Sequence, residues 1–451
     1  MPSDHLDIRY GDHVAATIHR DDAQQLHIQY AADIATGLVR VPPLSLSLPF
    51  QTAAFAPALS RAFLDGLLPE GTVRDTLERR HGIPAGDTFS LLSLIGRDCA
   101  GAFTIVPPGD DRTTQPDGVR WLSESELAEG IAALPQQPLA VDPDAGVRLS
   151  LGGAQNKMAV VVREDSAIGL PRGAVPSTHI LKPAILARDE RRGRHPFELL
   201  YPESVQNEAL CMRLAADAGI PTANIVVRRV ADDLVLLVER YDRQRQGGRV
   251  IRLHQEDFCQ VLGVHPNQKF DRNVAPSFEQ MASIVRHHSS RVAADLDHLV
   301  DLMGFNYLIG NSDAHGKNFA ILYALAGLRL APAYDLLATR VYPAHRVPMA
   351  MFINLMDDPR GLQPLHWATQ LDRMELRGRT YRERLADLVD RVTTATPRVT
   401  AWADEVGILS PLTDNILSGI AERAPILAAV RTVDVPRRRS KSPIVGRSFG
   451  D

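Results

Sequence analysis

Two acids and an amide define the chemistry this chain can be expected to do. Asp313 is followed five residues later by Asn318 in the segment NSDAHGKN. The next stretch, FAILYALAGLRLAPAY, reads as two short strands around Ala326-Gly327, and Asp335 follows it. One carboxylate can orient or deprotonate an attacking hydroxyl, while an amide and a second carboxylate can hold Mg²⁺ on the phosphates of ATP. Phosphoryl transfer needs that set. The hairpin returns the second acid to the mouth where the first pair sits. By itself, D-x-H-x-x-N is also a helix-end loop in which Asp, Asn and Gly do turn work; the hairpin and second acid favour the chemical reading. The overlapping GNSDAHGK is similar to a G-x-x-x-x-G-K-[ST] phosphate loop. Its spacer has five residues, however, Asn318 stands where Ser or Thr belongs, and a helix precedes it.

Lys182, in THILKPA, ends an apolar strand and points a long cation toward a pocket, where it could neutralise the α- and β-phosphates. A solvated edge-strand lysine is the plain alternative. Its place ahead of Glu208, Glu239 and Asp313 favours a site, with Glu203 and Glu208 both candidate ion-pair partners. In RLSLGGAQNKMAVVV, Gly152-Gly153 lies between apolar runs, and small residues there let backbone N–H groups approach phosphate oxygens. The same pair also suits an ordinary turn. Ser150, at the edge of that loop, is a hydroxyl expected near a bound γ-phosphate. The linker VERYDR can present backbone groups to an adenine edge, with Tyr241 beside the base. His287 and His288 have no carboxylate or cysteine at ligand spacing and read as helix-surface residues. No G-x-S-x-G nucleophile elbow is present.

The elements that must position these residues follow a simple order. LDIRY, HVAATIHR and LHIQYA alternate as strands, separated by Gly11-Asp12 and Asp21-Asp22. Helical patterns follow in ALSRAFLDGLL and TVRDTLERRHG, the second stopped by Gly82 and Pro84. Another helix and strand fill 86–107, and the polar VPPGDDRTTQPDG breaks the chain. Residues 119–243 read as β with one helix, VQNEALCMRLAADAG, closed by Gly219 and Pro221. The stretch 188–204 reads as a mobile loop. From 252 onward the patterns are mainly helical, and ADLDHLVDLMGFNYLIG delivers Asp313 at its end. The expected fold is α+β and bilobal, protein-kinase-like, with a β-rich N-terminal lobe of two subdomains and a mainly α-helical C-terminal lobe. The expected units are 1–110, an N-terminal β/α subdomain; 119–243, a nucleotide-binding β-rich subdomain; 244–435, a helical catalytic lobe; and 436–451, a flexible basic tail.

Composition narrows the class. At 451 residues the chain exceeds one average domain, and a net charge of −4 argues against nucleic-acid binding over its whole surface. Basic clusters at Arg188, Arg191, Arg192 and Arg194, and at Arg437, Arg438, Arg439 and Lys441, read as a solvated loop and tail. Cys99, Cys211 and Cys259 show no C-x-x-C spacing, which argues against a disulfide framework or zinc cluster. No apolar run approaches the ~18 residues of a membrane span. A cytoplasmic protein without membrane contact is expected.

Taken together, FLDGLLPEG, LLSLIGRDCAGAF, SLGGAQNKMAV, THILKP, NEALCMRLAADAGI, LVERYDR, LHQEDFCQVLG, NSDAHGKNF and APAYDLLAT resemble the HipA-family serine/threonine kinases, the toxins of HipAB-type toxin–antitoxin modules. The resemblance implies that Asp313 is the catalytic aspartate, that Asn318 and Asp335 hold Mg²⁺, and that Lys182 contacts the phosphates of ATP. It implies that Leu151, Gly152, Gly153, Ala154, Gln155 and Lys157 cover the nucleotide, that His315 lies near it, and that Glu239 and Tyr241 form the adenine hinge. Ser150 matches the family's autophosphorylation serine, whose modification ejects the loop and silences the kinase. A dianion on a loop that should cradle phosphates repels them. The resemblance further implies a small helix-turn-helix antitoxin (HipB-like) as partner and operator DNA through that complex. It implies a translation-related protein substrate, for some members an aminoacyl-tRNA synthetase. Two rivals are a lipid-type kinase, which shares D-x-H-x-x-N but should carry a basic amphipathic face, and a transcriptional corepressor on a kinase scaffold.

Overall fold

The computed structural model describes residues 5–110, 118–141, 150, 152–153, 155–188, 197–343 and 348–433. The first three strands, β1 (His5–Tyr10), β2 (His13–Arg20) and β3 (Leu26–Tyr30), form an antiparallel meander. The turn between β1 and β2 uses Gly11 at φ 61, a left-handed conformation that glycine adopts without a Cβ penalty. Alternation turns Leu6, Ile8, Ile18 and Ile28 inward, where all four are fully buried. Helices α1 (Ala32–Ala35), α2 (Pro57–Gly66), α3 (Gly71–Arg80) and α4 (Thr88–Ile95) follow. Strand β4 (Phe103–Val106) then pairs with β1, giving the order β3-β2-β1-β4.

The second sheet begins with β5 (Gly118–Trp121) and, after α5 (Glu124–Ala133), takes β6 (Met158–Val162), β7 (Ile168–Arg172) and β8 (His179–Lys182). A ribbon of β9 (Ile185–Arg188) and β10 (Phe197–Tyr201) leads to α6 (Ser204–Asp217). Strands β11 (Ile225–Val230) and β12 (Asp233–Glu239) complete a six-stranded sheet, ordered β11-β12-β8-β6-β7-β5. Two local expectations are corrected here. Residues 197–201 form a strand instead of loop. The segment held to contain one helix also contains α5, which starts on a capping box between Ser123 and Glu126. The basic clusters at 191–194 and 437–441 lie outside the described residues, as does the side chain of Arg188.

The chain then forms a hairpin, β13 (Arg243–Gln246) with β14 (Arg249–Arg252), and enters the helical lobe through β15 (His254–Asp257) and α7 (Phe258–Val261). Helices α8 (Phe278–His288) and α9 (Val292–Ile309) precede the hairpin of β16 (Ala320–Ala324) and β17 (Gly327–Leu330). Helices α10 (Pro364–Arg373), α11 (Arg379–Glu405) and α12 (Pro411–Ala428) close the lobe. Helix α9 is apolar around most of its circumference because α8, α11 and α12 surround it. Gly304 permits the close approach of α11, since a Cβ there would lie 2.8 Å from Leu388 Cδ2.

Two hydrophobic cores organise the molecule. One joins both N-terminal sheets through residues such as Ile8, Leu92, Met158, Leu181 and Leu237. The other fills the helical lobe and takes in α6 through Leu210 and Leu214. The architecture is thus α+β, with a sheet-rich N-terminal lobe and a helical C-terminal lobe. Among the described residues no helix is long and apolar enough to cross a membrane.

Candidate functional site

Helix α9 ends at Gly310, whose φ of 72 places it in the left-handed region favoured at helix C-termini, and the chain turns there into the loop that carries Asp313. That loop is fixed by its own side chains. Asn311 Oδ1 accepts from the Asp313 N–H at 3.0 Å, and Thr339 Oγ1 accepts from the Ser312 N–H at 2.8 Å. A single 3₁₀ turn over Gly316–Asn318 completes it. The two-residue turn between Ala324 and Gly327 folds β17 back along β16 and returns the chain to the same place. Asp335 follows in a left-handed conformation, φ 58.

Asp313, Asn318 and Asp335 all line one cavity of about 1240 Å³ between the lobes. Asn318 Nδ2 donates to Asp335 Oδ2 at 2.6 Å. Lys182 Nζ, at the end of β8, donates to Asp335 Oδ1 and to Glu208 Oε1, both at 2.7 Å. The structure therefore selects Glu208 of α6 as the inner partner of Lys182. Glu203 stands at the N-cap of that helix with φ 58.

Electrostatics follow from this arrangement. Burial alone would raise the Asp335 carboxyl, but the Lys182 ammonium outweighs it and holds the group below the usual carboxylate range. Burial lifts Glu208 above its ordinary value, with Lys182 opposing. Asp313 faces the open cleft, and its carboxyl is pushed up to about 6 by desolvation and by the negative charge of Asp335. His315 is buried and held neutral, pushed down to about 3 by burial and then by Lys269.

The glycine loop reaches the same cavity. Gly152, Gly153, Gln155 and Lys157 line it, whereas Leu151 and Ala154 lie outside the described residues. Gly153 has φ +99, which disfavours a side chain. Lys157 donates to the Gly152 carbonyl, and its ammonium is pushed down to about 8 by burial and then by Lys182. Gln155 Nε2 donates to the Pro183 carbonyl at 3.3 Å. Glu239 and Tyr241 line the far wall. The Glu239 side chain is exposed and accepts from Asn224 Nδ2 at 2.8 Å. Tyr241 packs against Tyr334 with ring centroids 5.7 Å apart, and its hydroxyl donates to Gln255 Oε1.

Ser150 departs from its expected position beside the γ-phosphate. It is fully buried and does not line the cavity. Its hydroxyl donates to the Leu67 carbonyl at 2.6 Å, and its N–H to the Asp98 carbonyl at 3.2 Å. His287 and His288 are exposed on α8, and no cluster of three potential metal-ligating His, Cys, Asp or Glu residues occurs among the described residues.

Asn318 Oδ1 is buried and without a hydrogen-bond partner. An unpaired amide oxygen beside an ionised carboxylate is a hard-oxygen pair of the kind Mg²⁺ takes when phosphates and water supply its other ligands. The residues present therefore fit that ion.

Three further side chains in the cavity were given no role from sequence. Lys317 donates to Asp257 Oδ2 at 2.7 Å and to the Gly66 carbonyl at 3.0 Å. Lys269 donates to Glu70 Oε2 at 2.5 Å. Glu70 lies in FLDGLLPEG, a segment whose chemistry no spacing rule reveals.

Comparison with known proteins identifies the family. Residues 6–106 match the HipA N-terminal domain and residues 149–397 the HipA-like C-terminal domain. The chain is 36% identical to the Sinorhizobium fredii protein Y4mE over 395 residues, covering 85% of this chain and 89% of that one. It is 31% identical to the serine/threonine-protein kinase toxin HipA of Shewanella oneidensis over 392 residues, 84% of each. Among solved structures, the Shewanella oneidensis complex of HipA, HipB and operator DNA superposes with a TM-score of 0.74 at 27% identity, covering 95% of this chain and all of that one. The chain belongs to the HipA family of serine/threonine-protein kinase toxins.

Proposed function

We propose that the chain transfers the γ-phosphoryl group of ATP, with Mg²⁺, to a serine or threonine hydroxyl of a protein. The observation that carries this reading is the continuous contact Glu208–Lys182–Asp335–Asn318, opening on the cavity that Asp313 also lines. Asp313 orients the acceptor hydroxyl and takes its proton. The hydroxyl oxygen forms a bond to the γ-phosphorus while the bond to the β–γ bridging oxygen breaks and ADP leaves. Asn318 Oδ1 and the Asp335 carboxylate would hold Mg²⁺, which offsets charge on the phosphate oxygens when bound. Lys182 contacts the α- and β-phosphates, and the Gly152-Gly153 backbone together with Gln155 and Lys157 covers them. Backbone at Glu239–Tyr241 meets the adenine edge, with neutral His315 near the nucleotide.

Ser150 is read as a self-modification site. A phosphate on this buried hydroxyl would meet the Leu67 carbonyl oxygen that the hydroxyl now donates to, so phosphorylation and the packed loop exclude one another. The assembly of the Shewanella relative with HipB and operator DNA supports a helix-turn-helix antitoxin and DNA as partners here. A translation-related substrate in the cytoplasm, such as an aminoacyl-tRNA synthetase, and division of the chain near 110, 119 and 244 belong to the same reading.

Asp313→Ala and Asp335→Ala should each abolish ATP-dependent phosphorylation of protein, measured with labelled ATP, while leaving the fold intact by circular dichroism. Parent-like turnover in both variants would overturn the proposal.

A further inference from the structure

Four lysines line the cavity: Lys157, Lys182, Lys269 and Lys317. Three are committed to the walls. Lys182 serves Glu208 and Asp335, Lys157 holds the Gly152 carbonyl, and Lys317 ties the catalytic loop to Asp257 and Gly66. Lys269 differs. It donates to Glu70 and lines the same cavity as Asp313 and His315.

The segment that carries Lys269 is pinned to the catalytic loop at two points. Phe270 packs edge-on against His315, with ring centroids 5.2 Å apart. Pro276 occupies the space that a Cβ on Gly316 would need, its Cγ lying 2.5 Å from that position. Glu70 is pinned as well. Its N–H donates to the Gly153 carbonyl at 3.1 Å, and Lys317 Nζ stands 3.9 Å from its Oε1. Glu70 thus joins the glycine loop, the catalytic loop and Lys269. Little solvent reaches the pair, with side-chain exposures of 13% for Lys269 and 15% for Glu70.

We propose that Lys269 is a further catalytic residue, binding the transferring phosphoryl group on the acceptor side of the cleft, and that Glu70 is the residue that positions it. This rests on the kinase reading above. In phosphoryl transfer, charge spreads over the three equatorial oxygens of the moving group. A fixed, largely buried ammonium lining the same cavity as Asp313 meets that charge in addition to Lys182. When Lys269 turns to the phosphoryl oxygens, Lys317 keeps Glu70 from being left as an unpaired buried carboxylate.

The test compares Lys269→Met, Lys269→Gln, Lys269→Arg, Glu70→Gln and Asp313→Ala with the parent chain. Each full-length protein is incubated with Mg²⁺, labelled ATP and a bacterial extract that supplies acceptors. Label in protein is followed at saturating ATP, and affinity for Mg²⁺–ATP is measured separately by calorimetry. Lys269→Met should lower the rate by about 10²-fold, the loss seen when one preorganised donor is removed, with affinity changed less than about threefold. Lys269→Gln, which keeps a donor to Glu70 without the charge, should be as slow, whereas Lys269→Arg should recover at least a tenth of the parent rate. Glu70→Gln should lower the rate by about tenfold. Parent-like rates in Lys269→Met and Lys269→Gln overturn the proposal. So does an Arg variant as slow as Gln, or a loss that lies in nucleotide affinity alone. A labelling Asp313→Ala variant would instead sink the parent reading; a dead Asp313→Ala beside a fully active Lys269→Met would sink only the role of Lys269.

Discussion

Asp335 stays ionised because Lys182 donates to it, and Lys182 stays charged inside the protein because Asp335 and then Glu208 of α6 accept from it. Removing the lysine breaks both links. Lys182→Met should cost roughly 3–5 kcal/mol of folding stability, the usual result of leaving one member of a buried pair, measured by chemical denaturation. It should also slow phosphoryl transfer by about 10²-fold. A variant with parent-like stability would mean that Lys182 is not paired with Glu208. At this scale local spacing was informative. Asp313, Asn318 and Asp335 are near in sequence, and a hairpin between them has one way to fold back. The choice between Glu203 and Glu208 was open because it depends on where α6 begins. The chain enters that helix through a left-handed Glu203, which spacing does not reveal. Glu70 and Lys269 meet across 199 positions, beyond any local pattern.

Elements meet at junctions that carry their own titratable groups. Glu256 on β15 accepts from the Ser45 hydroxyl, from the Leu46 N–H at 3.0 Å and from Tyr323 Oη at 2.5 Å. Only 1% exposed, its carboxyl is pushed up to about 7 by burial. The folded state thus binds this proton more tightly than the unfolded chain, where glutamate titrates near 4.3. Stability should therefore fall as pH rises from about 4.5 to about 7 and level off above that, the change amounting to roughly 1–3 kcal/mol. Thermal melts of the parent chain and Glu256→Gln across that range check it. The variant should lack this component, and an unchanged slope would show that the carboxyl is not the source. Element-level reading succeeded where periodicity was strong, as in β1–β3, α8 and α9. It missed α5 because only Leu127 and Ile131 of its ten residues are large and apolar, although the Ser123–Glu126 capping box was available as a signal. It missed β10 because charge and proline upstream masked a short paired strand.

Across the whole molecule, the N-terminal sheets and the hinge are linked by a buried ionic cluster where the second sheet ends. Asp98, from the loop after α4, meets Arg243 at 2.8 Å, Arg252 at 3.1 Å and Arg240 at 3.6 Å, and accepts from the Ser177 hydroxyl at 2.6 Å. Burial alone would raise this carboxyl, but the three guanidinium groups outweigh it and hold it far below the usual range. The same loop accepts the Ser150 N–H, so the cluster ties the N-terminal sheet, the hinge and the glycine-loop segment together. Asp98→Asn should leave buried guanidinium charge uncompensated and destabilise the fold by roughly 3–5 kcal/mol, read as a lowered thermal midpoint. No lowering would contradict the assignment of this cluster as the tie between the N-terminal sheets and the hinge. The bilobal order was readable from the run of strands followed by helices. The cluster was not, because its members come from four separated segments.

A crystal structure of the chain with Mg²⁺ and a non-hydrolysable ATP analogue decides whether these residues hold the metal and the triphosphate. The metal is expected between Asn318 Oδ1 and the Asp335 carboxylate, the adenine edge against the backbone of Glu239–Tyr241, and the γ-phosphate facing Asp313. A nucleotide bound elsewhere, or a γ-phosphate turned away from Asp313 with no metal at Asn318 and Asp335, would contradict it.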